Sequence, residues 1–244
     1  KIRSHMSYMT IKPPRFFLML SMLCTSVCSA TEIYSSFPER IDPDASYVFY
    51  SHGFIVEGDN PRPEHPRWGV YDFPAVVLGL SDSEYHLIAY HRAKGTDPDM
   101  FAGKLASEVN ALMAAGVKSN NITLVGFSRG GAITILVSNR LARDDINFVI
   151  LAGCGKYLES NSELKLHGAV YSVREASDDL VGSCQTLVDR SPGVTQFSER
   201  VIDTGKEHGA FYQPLSEWTG PVKSWITRDD LNSNNKQNGD ALND

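Results

Sequence analysis

The sequence predicts an α/β fold, a mostly parallel central sheet flanked by helices on both faces. Strand-like and helix-like segments alternate along the chain, the rhythm of such a sheet. Two of the strands, Ile122-Thr123-Leu124-Val125 and Ile146-Asn147-Phe148-Val149-Ile150-Leu151, are near-continuous apolar runs, as strands buried on both faces are. Between them Ile133, Leu136, Val137 and Leu141 recur at helical spacing within residues 129–143, which marks the connection as a helix.

The first thirty residues stand apart from this pattern. Lys12 and Arg15 precede the apolar run from Phe16 to Val27, and Cys28-Ser29-Ala30 offers small residues at a cleavage point. That order is the order of a secretory leader. The run is short for a membrane span, so the leader is either removed or kept as an N-terminal anchor. A domain over residues 31–228 should follow. The Asn- and Asp-rich stretch 229–244 has too little apolar surface to fold and should be a disordered tail.

Within the domain, Tyr47-Val48-Phe49-Tyr50 reads as the first clear strand and His86-Leu87-Ile88-Ala89-Tyr90 as the next. Asp99 is placed as an N-cap, with Phe101, Leu105, Val109 and Leu112 as the helical stripe and Gly116 at the C-terminal end. After the two apolar strands come Ala169–Val173 and Glu199–Ile202 as strands, then a last helix over Pro221–Thr227.

Composition narrows the function. Of 244 residues, 42% are hydrophobic and 21% charged, the balance of an ordinary folded domain. The formal net charge of −6 with no basic stripe argues against nucleic acid as a partner. No H-E-x-x-H, paired C-x-x-C or G-x-G-x-x-G occurs, so neither a metal nor a dinucleotide cofactor is expected. Once the leader is set aside, Cys154 and Cys184 are the remaining cysteines. In an exported chain they are expected to form a disulfide, the alternative being two buried thiols. Secretion or periplasmic export follows from the same leader. The sequence does not fix the oligomeric state.

The chemistry-bearing motif is Gly126-Phe127-Ser128-Arg129-Gly130, G-x-S-x-G set between the Ile122 strand and the Arg129 helix. A sharp strand-to-helix turn lifts the Ser hydroxyl out of the sheet edge. Serine is a weak nucleophile without an adjacent base, and on such a sheet the partners follow in the order Ser, acid, His. His167 lies before a strand, at the wrong sheet edge. His208 lies after one, in Gly205-Lys206-Glu207-His208-Gly209, and is the expected base. The acid belongs just past the Ala169 strand, where Glu175, Asp178 and Asp179 are candidates. The oxyanion donors are expected from the backbone N–H groups of Arg129 and of Phe54, in Ser51-His52-Gly53-Phe54. The Arg129 side chain either favours an anionic substrate or pairs with a nearby carboxylate.

These residues resemble the α/β-hydrolase superfamily, over most of the chain from Tyr47 to Ile226. The resemblance rests on the Gly126–Gly130 elbow, the His52-Gly53-Phe54 loop and His208. The family's acid often begins a D-x-x-V pattern, which Asp178-Asp179-Leu180-Val181 matches, so the resemblance favours Asp178 over Asp179. It implies hydrolysis of a small-molecule ester or related acyl compound through an acyl-enzyme. A peptidase or amidase with the same residues, or a binding protein that keeps the fold, are the alternatives. No long insertion separates Leu151 from Ala169, so a large lid domain is not expected. The Pro-rich segment 57–74, with His65, Trp68, Tyr71 and Phe73, either lines the pocket or runs over the surface as a plain loop.

Overall fold

A computed structural model describes residues 32–155 and 161–228. The leader 1–30 and the tail 229–244 lie outside the described residues. The elements, in order, are β1 (Ile33–Tyr34), β2 (Tyr47–Ser51), β3 (Glu64–His65), β4 (Gly69–Val70), α1 (Phe73–Leu80), β5 (His86–Ala89) and α2 (Pro98–Ala114). There follow β6 (Ile122–Phe127), α3 (Arg129–Leu141), β7 (Asn147–Leu151), β8 (His167–Glu175), α4 (Gln185–Asp189), β9 (Gly193–Ile202) and α5 (Ser216–Thr227).

Seven strands form one sheet in the order β1-β5-β2-β6-β7-β8-β9, and every pair in it is parallel. Parallel neighbours cannot be joined by tight hairpins, so each needs a crossover. The crossovers cover both faces. Leu105, Val109 and Leu112 of α2, Ile133 and Val137 of α3 and Leu187 of α4 pack on one face. Val76 and Leu80 of α1 with Trp218 and Val222 of α5 pack on the other. β2, β6 and β7 are buried at every position, which is why they read as apolar runs. Because all seven strands point one way, their carboxyl ends share one edge, the edge on which ligands of such sheets bind.

Three readings need correction. The cap of α2 is Asp97, whose side chain accepts from the Met100 N–H at 2.8 Å. Asp99 is the second residue of the helix, within its first turn, and pairs with Arg140 at 2.8 Å. The difference is Pro98, which suits the first helical position and not an interior one. The strand before His208 begins at Gly193, six residues earlier than Glu199. The final helix starts at Ser216, with Pro221 inside it. The segment 57–74 holds a small antiparallel ribbon, β3 with β4, that leads into α1.

Candidate active site

Ser128 sits between β6 and α3 at φ 53° and ψ −116°. A non-glycine residue there carries about 1–3 kcal/mol of strain, which the surrounding packing must hold. Two glycines allow the turn. A methyl on Gly126 would strike the Gly130 carbonyl, and one on Gly130 would strike the Ser51 carbonyl. The Ser128 N–H is tied down by Leu151 O at 2.9 Å.

His208 lies in a 3-10 turn after β9, over residues Glu207–Phe211. Its Nε2 is 2.8 Å from Ser128 Oγ, and its Nδ1 is 2.6 Å from Asp178 Oδ2. A neutral ring that donates from Nδ1 and accepts at Nε2 satisfies both contacts. The Asp178 side chain is wholly buried, and its Oδ1 accepts the Leu180 N–H at 3.0 Å. The structure thus joins Ser128, His208 and Asp178 into one hydrogen-bonded chain drawn from the ends of β6, β9 and β8. Asp179 points outward and pairs with Arg67 at 3.2 Å.

Glu175, the last residue of β8, is buried and turned to the two loops. Its Oε2 accepts from the Ser177 N–H and hydroxyl, both at 2.6 Å. Its Oε1 accepts from the Thr204 and Gly205 N–H groups at 2.9 and 3.0 Å, with the Thr204 hydroxyl at 3.3 Å. Burial pushes this carboxyl up, but the hydrogen bonds outweigh it and hold the group below the usual carboxylate range. Glu175 therefore fastens the loop that carries Asp178 to the loop that carries His208.

The loop after β2 runs beside Ser128. Phe54 opens a 3-10 turn over Phe54–Val56, and Arg129 opens α3. The first N–H groups of such turns have no partner inside them. His52 is fully buried. Its Nδ1 donates to Gly53 O at 2.7 Å and its Nε2 accepts the Arg92 N–H at 2.9 Å. Burial and the Arg92 charge hold its pKa well below the ordinary histidine value, so the ring stays neutral. The Tyr71 hydroxyl reaches Tyr50 at 2.7 Å and accepts the Gly53 N–H at 3.4 Å. Its burial pushes its pKa up to about 12.

The Arg129 guanidinium turns aside from Ser128. It lies 3.2 Å from Glu57, donates to Thr96 O at 2.9 Å and sits over the Phe54 ring. Arg92, with a fully buried side chain, pairs with the same Glu57 at 3.4 Å. This resolves the two readings of Arg129 toward the carboxylate partner. Glu57 and Arg92 come from two separate loops and Arg129 from the start of α3, and no local pattern foretells their meeting.

A cavity of about 200 Å³ opens at Ser128, walled by Phe54, Ile55, Trp68, Leu180 and Tyr212 among others. His65, Trp68 and Tyr71 of the 57–74 segment line it, which decides that segment's role. Phe73 instead begins α1 in the core. Trp68 is pinned from outside: its Nε1–H donates to Glu207 at 2.9 Å, and Arg67 pairs with both Glu207 and Asp179. Cys154 and Cys184 form a disulfide with Cα atoms 5.2 Å apart, beside the Asp178 loop. Among the described residues, no group of three or more His, Cys, Asp or Glu is placed to hold a metal ion. Among them, too, no helix is long and apolar enough to cross a membrane.

No protein-family model and no curated protein sequence matches the chain. Its structure is similar to that of SOBER1 from Arabidopsis thaliana, at 13% identity over 75% of this chain and 98% of that chain, with TM-score 0.51. It is also similar to a protein from Thermoplasma acidophilum described as a "predicted CIB-like hydrolase", at 15% identity over 77% of this chain and 88% of that one, with TM-score 0.51. These neighbours are α/β-hydrolases, and the all-parallel sheet with a strand-to-helix elbow at Ser128 is the α/β-hydrolase fold.

Proposed function

We propose that the protein is a serine hydrolase that cleaves carboxylic esters of small molecules through an acyl-enzyme. The observation that carries this reading is the chain Ser128 Oγ to His208 Nε2 at 2.8 Å and His208 Nδ1 to Asp178 at 2.6 Å. Ser128 attacks the ester carbonyl while His208 takes its proton. Asp178 holds the ring in the required tautomer and steadies the imidazolium. The Phe54 and Arg129 N–H groups receive the negative oxygen, where one donor is worth about 10²–10³ in rate. His208 then returns the proton to the leaving alcohol, and water activated by the same ring releases the acid. The buried disulfide supports an oxidising compartment, secreted or periplasmic, in keeping with the leader.

The test is covalent. A fluorophosphonate probe should add one label to the parent, read by intact mass, and none to Ser128→Ala, while p-nitrophenyl acetate is hydrolysed by the parent alone. A folded parent that takes no label refutes the reading.

A further inference from the structure

Trp68 stands between two cavities. One is the cavity of about 200 Å³ at Ser128. The other, of about 300 Å³, holds Arg67, Lys206 and Glu207 on its walls, and both cavities share Trp68 and Tyr212. The indole is fixed in place. It stacks on His65 with ring centres 4.0 Å apart at 14° and bonds Glu207, while the Trp68 Cβ lies so close to Gly209 that a methyl there would collide. Among the described residues, no Asp, Glu, Lys or Arg lines the inner cavity. Two cations on neighbouring segments are spent elsewhere, Arg129 on Glu57 and Arg67 on Asp179 and Glu207. Two large apolar side chains, Phe54 and Leu180, stand exposed on its wall, where an apolar ligand would cover them.

We propose that this inner cavity is the acyl subsite, that it takes an uncharged acyl group of short to medium length, and that Trp68 is the wall that sets the length limit. The inference rests on the serine-hydrolase reading. The leaving alcohol must depart to solvent after protonation, whereas the acyl group stays bonded to Ser128, so the walled cavity suits the part that stays. A cavity of about 200 Å³ is smaller than the roughly 300–1,000 Å³ of pockets that enclose drug-sized ligands, which suits it to a short or medium acyl chain. A longer chain meets the indole. An acyl group ending in a carboxylate would find no cation and would lose its hydration. Shortening the indole joins the inner space to the outer one.

The experiment measures kcat/KM for p-nitrophenyl acetate, hexanoate and decanoate on the parent, Trp68→Ala and the milder Trp68→Leu, with fluorophosphonate labelling of each. In the parent, hexanoate should exceed acetate by about a hundredfold, since each buried methylene contributes roughly three- to fourfold. Decanoate should fall at least about tenfold below hexanoate in the parent. In either Trp68 variant the decanoate-to-hexanoate ratio should rise by about tenfold or more. A parent that prefers decanoate overturns the size assignment, whether or not the variants fold. A labelled, folded variant with the parent's ratio overturns the role of Trp68 and leaves the serine-hydrolase reading standing. A parent that takes no label overturns both, and so separates that failure from the other two.

Discussion

Glu175→Gln exchanges a carboxylate for an amide of the same shape and leaves its five donors where they are. The carboxylate accepts two of them at Oε2 and three at Oε1. The amide keeps one oxygen. If it faces Thr204 and Gly205, its NH₂ meets the Ser177 N–H donor to donor. One buried charge-assisted bond is then lost, at about 1.5–3 kcal/mol, and those that remain drop to the strength of neutral ones. The sum is about 3 kcal/mol, or roughly 6–12 °C in Tm for a domain of this size. Both loops loosen together, so kcat should fall at least about tenfold, since a displacement of ~1 Å at a reacting centre can cost ~10². The assay pairs a thermal melt with p-nitrophenyl ester turnover well below Tm. Glu175 positions Asp178 and His208 without touching substrate, so the pH–rate profile should keep its shape while kcat drops. The sign with pH is fixed as well. The folded carboxyl is held below its ordinary value, so its contribution is complete above the unfolded pKa of about 4.3. That contribution fades as pH falls through the lower folded value. The gap in Tm between parent and variant should therefore narrow in acid. A variant that melts within 2 °C of the parent (an outcome set against the ~6 °C minimum above) with unchanged kcat would refute the reasoning.

Two further expectations follow from the same geometry. Asp178→Asn should lower kcat by about 10³–10⁴ by favouring the wrong His208 tautomer, whereas Asp179→Asn, altering an exposed pair, should stay within a fewfold of the parent; steady-state turnover of the two variants separates the acids. Cys154→Ser opens a disulfide with a sequence separation of 30 and should cost about 3–4 kcal/mol by the chain-entropy estimate, seen as a lower midpoint in urea with a slope no shallower than the parent's, since the opened denatured chain exposes more surface; a midpoint equal to the parent's removes the bridge from the account of stability.

The central strands were legible because parallel strands buried on both faces cannot alternate. Ile122 to Val125, with only Thr123 polar, and Phe148 to Leu151 are therefore near-continuous apolar runs. The Ser128 turn was legible because steric conflict leaves only glycine two residues on either side. Other parts carry no local signal. α1 reads Phe73-Pro74-Ala75-Val76-Val77-Leu78-Gly79-Leu80, with β-branched residues, Pro and Gly that disfavour helix. It forms because Asp72 caps it through the Ala75 N–H at 3.0 Å and because Val76 and Leu80 are buried on the sheet. The first half of β9 stayed hidden because it is an edge strand, with Thr195, Gln196 and Ser198 toward solvent. Glu175 was read as a possible acid because its type and place after a strand were right. Only the fold shows its oxygens filled by Ser177, Thr204 and Gly205.

The all-parallel sheet also ties the site to long-range pairing. No strand of it pairs with a neighbour through a tight turn, so each pairing waits for a crossover to be made and packed. Ser128 and both half-cystines are in place before β9 begins, and His208 comes only after β9 ends. A chain caught before its last strand docks holds its nucleophile without its base. On the proposed function, then, labelling of Ser128 would double as a report that β9 has docked.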